Sequence, residues 1–99
     1  MNIDIAWEIV EQGKYLDDSE DSVILFEEAL NYILQDSLEL CEKDDFYMWK
    51  TDVQAAAYNL GSHYEKIGKY DLAIKYYKIS EEYGCSFARD RMEQINNER

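Results

Sequence analysis

The side chains best suited to metal ligation or thiol chemistry are few: one histidine, His63, and two cysteines, Cys41 and Cys85. Zinc sites draw their ligands from closely spaced pairs, and these three residues form none. A Ser–His–Asp set would rest on His63 alone, without a nucleophile elbow or a glycine-rich oxyanion segment. The four glycines never cluster, so no loop can cradle a phosphate. The run Asp17, Asp18, Glu20 and Asp21 offers oxygen donors but lacks the glycine and distal glutamate of a calcium loop. Asp44 and Asp45 stand side by side, not across a cleft where an acid and a base would face each other. The residues therefore predict no enzyme, no metal and no cofactor. His63 reads as a surface or groove-edge residue, and the cysteines as reduced core thiols.

What remains is recognition chemistry. The chain has 99 residues, 46% of them hydrophobic and nine of them tyrosine, enough for one domain with a modest core. Residues 1–49 hold 14 acidic side chains against Lys14 and Lys43, whereas residues 50–99 balance eight acids with eight bases, so the whole net charge of −12 lies in the first half. A field of that sign repels nucleic acid and anionic membranes and steers cationic partners. The same charge also suits a solvated surface that keeps a small protein soluble. No basic leader or apolar run of membrane-spanning length is present, and the expected location is the cytoplasm.

The elements that position these residues are helices. Proline is absent, and apolar residues recur at intervals of three and four. A first helix is expected over Asn2 to Gln12, capped by Asn2, stopped by Gly13, and turning Ile3, Ala6 or Trp7, and Val10 inward. A second begins near Ser19 with the stripe Val23, Phe26, Leu30, Ile33 and Leu34, in a pattern that can continue through Leu38 to Cys41. After the charged break at Lys43, Asp44 and Asp45 comes the clearest stripe: Phe46, Trp49, Val53, Ala56, Leu60, Tyr64 and Ile67, ended by Gly68. A fourth helix, from about Tyr70 to Tyr83, turns Ala73, Tyr76, Tyr77 and Ser80 inward. Ser86 caps a fifth, with Phe87, Ala88, Met92 and Ile95 as its apolar side. The fold class is all-α, with five helices.

The segment Ala57-Tyr58-Asn59-Leu60-Gly61, Tyr64, Gly68-Lys69-Tyr70-Asp71, Ala73-Ile74 and Tyr76-Tyr77 resembles a tetratricopeptide repeat. Tyr83-Gly84 followed by Phe87-Ala88 is similar to the end of the related Sel1-like repeat. A weaker copy over residues 3–36 echoes Gly68-Lys69-Tyr70 as Gly13-Lys14-Tyr15, and Tyr77 with Ser80 as Phe26 with Ala29. The enlarged first turn carries the acidic run. The resemblance implies antiparallel hairpins in a right-handed superhelix: a first repeat at 3–36, connecting helices at 37–53, a clear repeat at 54–87 and a capping helix at 86–98.

By the same resemblance, an inner groove would bind a peptide or protein through Ala55, Tyr58, Asn59, Ser62 and Lys66, with Ile5, Glu8 and Gln12 in the first copy. Cations are too few there for a carboxylate clamp. Trp49 is expected between the second and third helices, and Trp7 as a terminal cap or an exposed contact. Tyr47, Tyr58, Tyr70 and Tyr83 suit either packing or partner binding. The expected function is a non-catalytic interaction module whose acidic half, through Asp17, Asp18, Glu20, Asp21, Asp44 and Asp45, covers a basic protein. The leading form is an inhibitor or immunity-type protein neutralising a toxin, such as a nuclease. The alternatives are an adaptor or chaperone holding a peptide in the groove, and a self-assembling helical unit such as a homodimer.

Overall fold

In the computed structural model, residues 3–12, 19–36 and 46–98 are described, and they form five α-helices with no strand among them. These are α1 (Ile3–Gln12), α2 (Glu20–Asp36), α3 (Phe46–Lys66), α4 (Tyr70–Glu82) and α5 (Ser86–Glu98). Asn2, Gly13, residues 37–45 and the side chains of Ile3, Phe46, Tyr47 and Trp49 lie outside the described set, and with them the expectations placed there. No helix of the described residues is long and apolar enough to cross a membrane.

Local chemistry sets the helix ends. The Ser22 amide donates to the Ser19 hydroxyl at 3.3 Å at the start of α2, where Glu20 and Asp21 also sit favourably against the positive end of the helix. α3 and α4 stop in the same way. After α3, Lys69 N–H donates to Tyr64 C=O (2.9 Å) and Gly68 N–H to Glu65 C=O (3.2 Å); after α4, Cys85 N–H donates to Ser80 C=O (3.0 Å) and Gly84 N–H to Glu81 C=O (2.9 Å). This is the Schellman pattern, whose turning residue needs positive φ. Gly68 (φ 82°) and Gly84 (φ 108°) supply it.

The short turn at Gly68 folds α4 back along α3, the most extensive helix pairing among the described residues. Gln54, earlier on α3, meets Ser80, later on α4, whereas Glu65, later on α3, meets the earlier Tyr77, so the two helices run antiparallel. Between them, Gly61 lies so close to the Tyr77 ring that a Cβ there would stand 2.7 Å from Cδ1. The glycine thus allows α3 and α4 to approach closely at this point. α1 pairs with α2, and α5 lies on α4.

The stripes fall inward largely as their spacing requires. Ala6, Val10, Val23, Phe26, Leu30, Ile33, Val53, Ala56, Leu60, Ala73, Tyr76, Tyr77, Ala88 and Ile95 form one core, with Trp7, Leu34 and Met92 packed against it. Three expectations need correction. Ile67 is 53% exposed, because α3 ends one residue earlier and the turn carries Ile67 away from its stripe. Phe87 is 70% exposed, because Ala88 and Ile95 define the buried line of α5 and Phe87 sits about 100° around the helix from Ala88. Apart from Phe87, the remaining exposed surface of α5 is polar. Ser86 is the first helical residue of α5 rather than its preceding cap.

Candidate functional site

Two surfaces carry recognition chemistry. The first is built from α3 and the start and middle of α5. Thr51, Gln54, Ala55, Tyr58 and Asn59 line a depression of about 300 Å³ together with Cys85 and Phe87. Tyr58 continues into a second, of about 280 Å³, lined by Ser62, Glu65, Lys66, Tyr77 and Arg91. Ala55, Tyr58, Asn59, Ser62 and Lys66, which the repeat pattern selects, therefore share one face. Helical geometry explains this, since steps of three and four residues return to the same side of α3.

The two ends differ in chemistry. Exposed Phe87 and half-buried Tyr58 make the upper end apolar and aromatic. At the lower end Glu65 anchors a network. The Tyr77 hydroxyl donates to Glu65 Oε1 at 2.7 Å, Arg91 Nε donates to the same oxygen at 3.1 Å, and Arg91 Nη2 pairs with Oε2. Arg91 also donates to Gln94 Oε1 at 2.6 Å. Burial pushes the Glu65 carboxyl up, but the hydrogen bonds from Arg91 and Tyr77 and the charge of Arg91 outweigh it and hold the group below the usual carboxylate range. Burial and the Glu65 hydrogen bond push the Tyr77 phenol well above its ordinary value. Lys66 is exposed and has no ion-pair partner among the described residues.

The second surface is the outside of the first hairpin. Every described charged side chain of α1 and α2 is acidic: Glu8, Glu11, Glu20, Asp21 and Glu28 are exposed and Glu27 is half-buried. Glu20 and Asp21 occupy the first turn of α2, whereas Asp17, Asp18, Asp44 and Asp45 lie outside the described residues. Ile5 and Glu8 are exposed on α1, away from the α3–α5 depressions. The side chain of Gln12 is outside the described set.

Between the hairpins stands a polar joint. The Tyr64 hydroxyl donates to Glu27 Oε2, Asn31 Nδ2 donates to the Tyr76 hydroxyl at 3.4 Å, and the Tyr64 and Tyr76 rings stack at 5.8 Å. Burial raises both phenols far above their ordinary value, and the hydrogen bond and charge of Glu27 raise them further. Tyr83 is half-buried against the core, its phenol raised by burial and by Glu82. His63 is half-buried with its ring edge-on to Tyr64, and Cys85 is a buried free thiol. Among the described residues no group of three His, Cys, Asp or Glu could hold a metal ion.

No protein-family model matches the chain, and neither the curated proteins nor the solved structures compared with it include a match. The sequence pattern overlooked Phe87 and Arg91 as parts of the α3–α5 surface. Arg91 had a signal, because it falls one turn after Phe87 on the same side of α5.

Proposed function

We propose that this chain is a non-catalytic interaction module whose acidic first hairpin binds a basic protein, acting as an inhibitor of the immunity type that covers a toxin's cationic surface. The observation that carries this reading is the unopposed charge: α1 and α2 expose five acids and no base among their described residues. Such a surface raises the association rate with a cationic protein and penalises wrong partners more than it adds raw affinity. The test is affinity capture with the wild-type chain and with Asp17→Asn, Asp18→Asn, Glu20→Gln and Asp21→Asn combined, at low and high salt. Basic proteins should dominate the wild-type capture and fall sharply with salt and in the variant. Equal capture by both chains would refute the reading.

A second reading has its own observation. The joined depressions along α3 and α5, with Phe87 as an exposed wall, suit an adaptor that holds a peptide segment against Tyr58. It predicts that Phe87→Ala and Tyr58→Ala abolish capture that the acidic variant retains.

A further inference from the structure

The sequence Val23-Ile24-Leu25-Phe26 is a run of four large apolar residues, yet a helix advancing about 100° per residue can bury only part of such a run. Val23 and Phe26 enter the core with Ala29, Leu30 and Ile33. Ile24 is 56% exposed and Leu25 47% exposed, and both point away from that core. On the same outer sector, about 140° wide by helix geometry, lie Glu20, Asp21 and Glu28, all exposed. Asp21 precedes Leu25 by one turn, and Glu20 and Glu28 bracket Ile24 by one turn on either side. The result is an apolar pair framed by carboxylates. The only cations of the first 49 residues are Lys14 and Lys43, neither of them on α2.

A single exposed leucine or isoleucine is ordinary on a protein surface. Two adjacent ones inside an acidic frame specify a partner by both chemistry and spacing. The framing carboxylates select a cationic surface, and the apolar pair requires that surface to bring apolar side chains between its charges. The four-residue repeat of acid and apolar positions matches the repeat of a helix laid alongside. We infer that the outer strip Glu20–Asp21–Ile24–Leu25–Glu28 of α2 docks a cationic amphipathic helix, its narrow apolar stripe on Ile24 and Leu25 and its flanking Lys or Arg on the three carboxylates. This rests on the reading that the first hairpin takes a basic partner, and it adds the partner's shape.

The probe is a synthetic Leu/Lys peptide of roughly 18 residues whose leucines form one helical stripe, compared with a scrambled peptide of identical composition. Binding to the full chain is followed by fluorescence anisotropy and peptide helicity by circular dichroism. The amphipathic peptide should bind saturably, gain helicity on binding, and weaken with salt, while the scrambled one binds at least about tenfold less tightly. Ile24→Gln with Leu25→Gln should weaken binding by about tenfold or more. Glutamine is a good helix former at exposed positions, and the far-ultraviolet spectrum checks that the fold is kept. Glu20→Gln, Asp21→Asn and Glu28→Gln together should flatten the salt dependence. Equal binding of both peptides, unaffected by the Ile24 and Leu25 changes, overturns the strip while leaving a generally basic partner in place. Absence of binding by either peptide at low salt overturns both.

Discussion

Adding one carbon at position 61 tests how α3 and α4 are held together. In Gly61→Ala the new Cβ would lie 2.7 Å from Tyr77 Cδ1, 2.8 Å from Cε1 and 3.0 Å from Cγ. Carbon atoms rest at about 3.5–4.0 Å, so the ring or the helix must retreat by roughly 0.5–1 Å. The ring has little freedom to do so. Tyr77 is fully buried, its ring lies 5.4 Å from that of Tyr58, and its hydroxyl is tied to Glu65. Overpacking costs about 1–3 kcal/mol, and a rigid ring held at both ends belongs near the upper figure. Alanine regains about 1 kcal/mol over glycine in a helix interior. The net loss is about 2 kcal/mol, or about 10 °C in melting temperature for a domain of this size. Thermal and urea unfolding followed at 222 nm would measure it. In a Tyr77→Leu background the penalty of Gly61→Ala should largely vanish, giving a coupling energy well above 0.5 kcal/mol. An unchanged or raised melting temperature for Gly61→Ala would refute the close-approach argument.

Other positions separate other forces. Gly68→Ala meets no atom within 4 Å, so its cost comes from the left-handed backbone alone, about 1 kcal/mol in the same unfolding assay. Arg91→Gln removes the partner that lowers the Glu65 carboxyl. A depressed folded-state value contributes stability above the ordinary carboxylate range and loses it as pH falls through the folded value, so the variant's deficit should be constant near pH 7 and shrink on acidification. Urea titrations at several pH values would show this. Tyr64, Tyr76 and Tyr77 have raised phenols, so they favour the fold fully below the ordinary phenol value of about 10 and withdraw that support as pH rises past it. Absorbance at 295 nm should show these three tyrosines ionising only as the chain unfolds in alkali.

Much of this architecture was legible because helices announce themselves by period and punctuation. Gly68 at the end of α3 follows from the length of its apolar stripe and from what a missing Cβ permits at a turn. Ile67 and Phe87 each continue a stripe by spacing, but one lies past the helix end and the other beside the buried line. The Glu27–Tyr64 and Glu65–Arg91 contacts were not legible. Their partners are 37 and 26 residues apart, and no local period couples them. Ala55, Tyr58, Asn59, Ser62 and Lys66 fall on one side of α3 by helical spacing alone, whereas Phe87 and Arg91 come beside them only through the packing of a second helix. The outward pair Ile24 and Leu25 was readable in principle, since a run of four apolar residues exceeds what one helix face can bury.

The joint at Glu27 also bears on alignment. Oily surfaces in contact tolerate sliding, because one methyl group substitutes readily for another. A carboxylate against a phenol does not. If α2 slid by one turn along the second hairpin, Tyr64 would face either Val23, which offers no acceptor, or the neutral amide of Asn31. Hydrogen bonds to charged groups contribute about 1.5–3 kcal/mol, enough to make the slipped arrangements rare. Glu27 and Asn31 thus act as a key cut for one lock position, setting where the acidic hairpin sits along its neighbour as well as that it sits there.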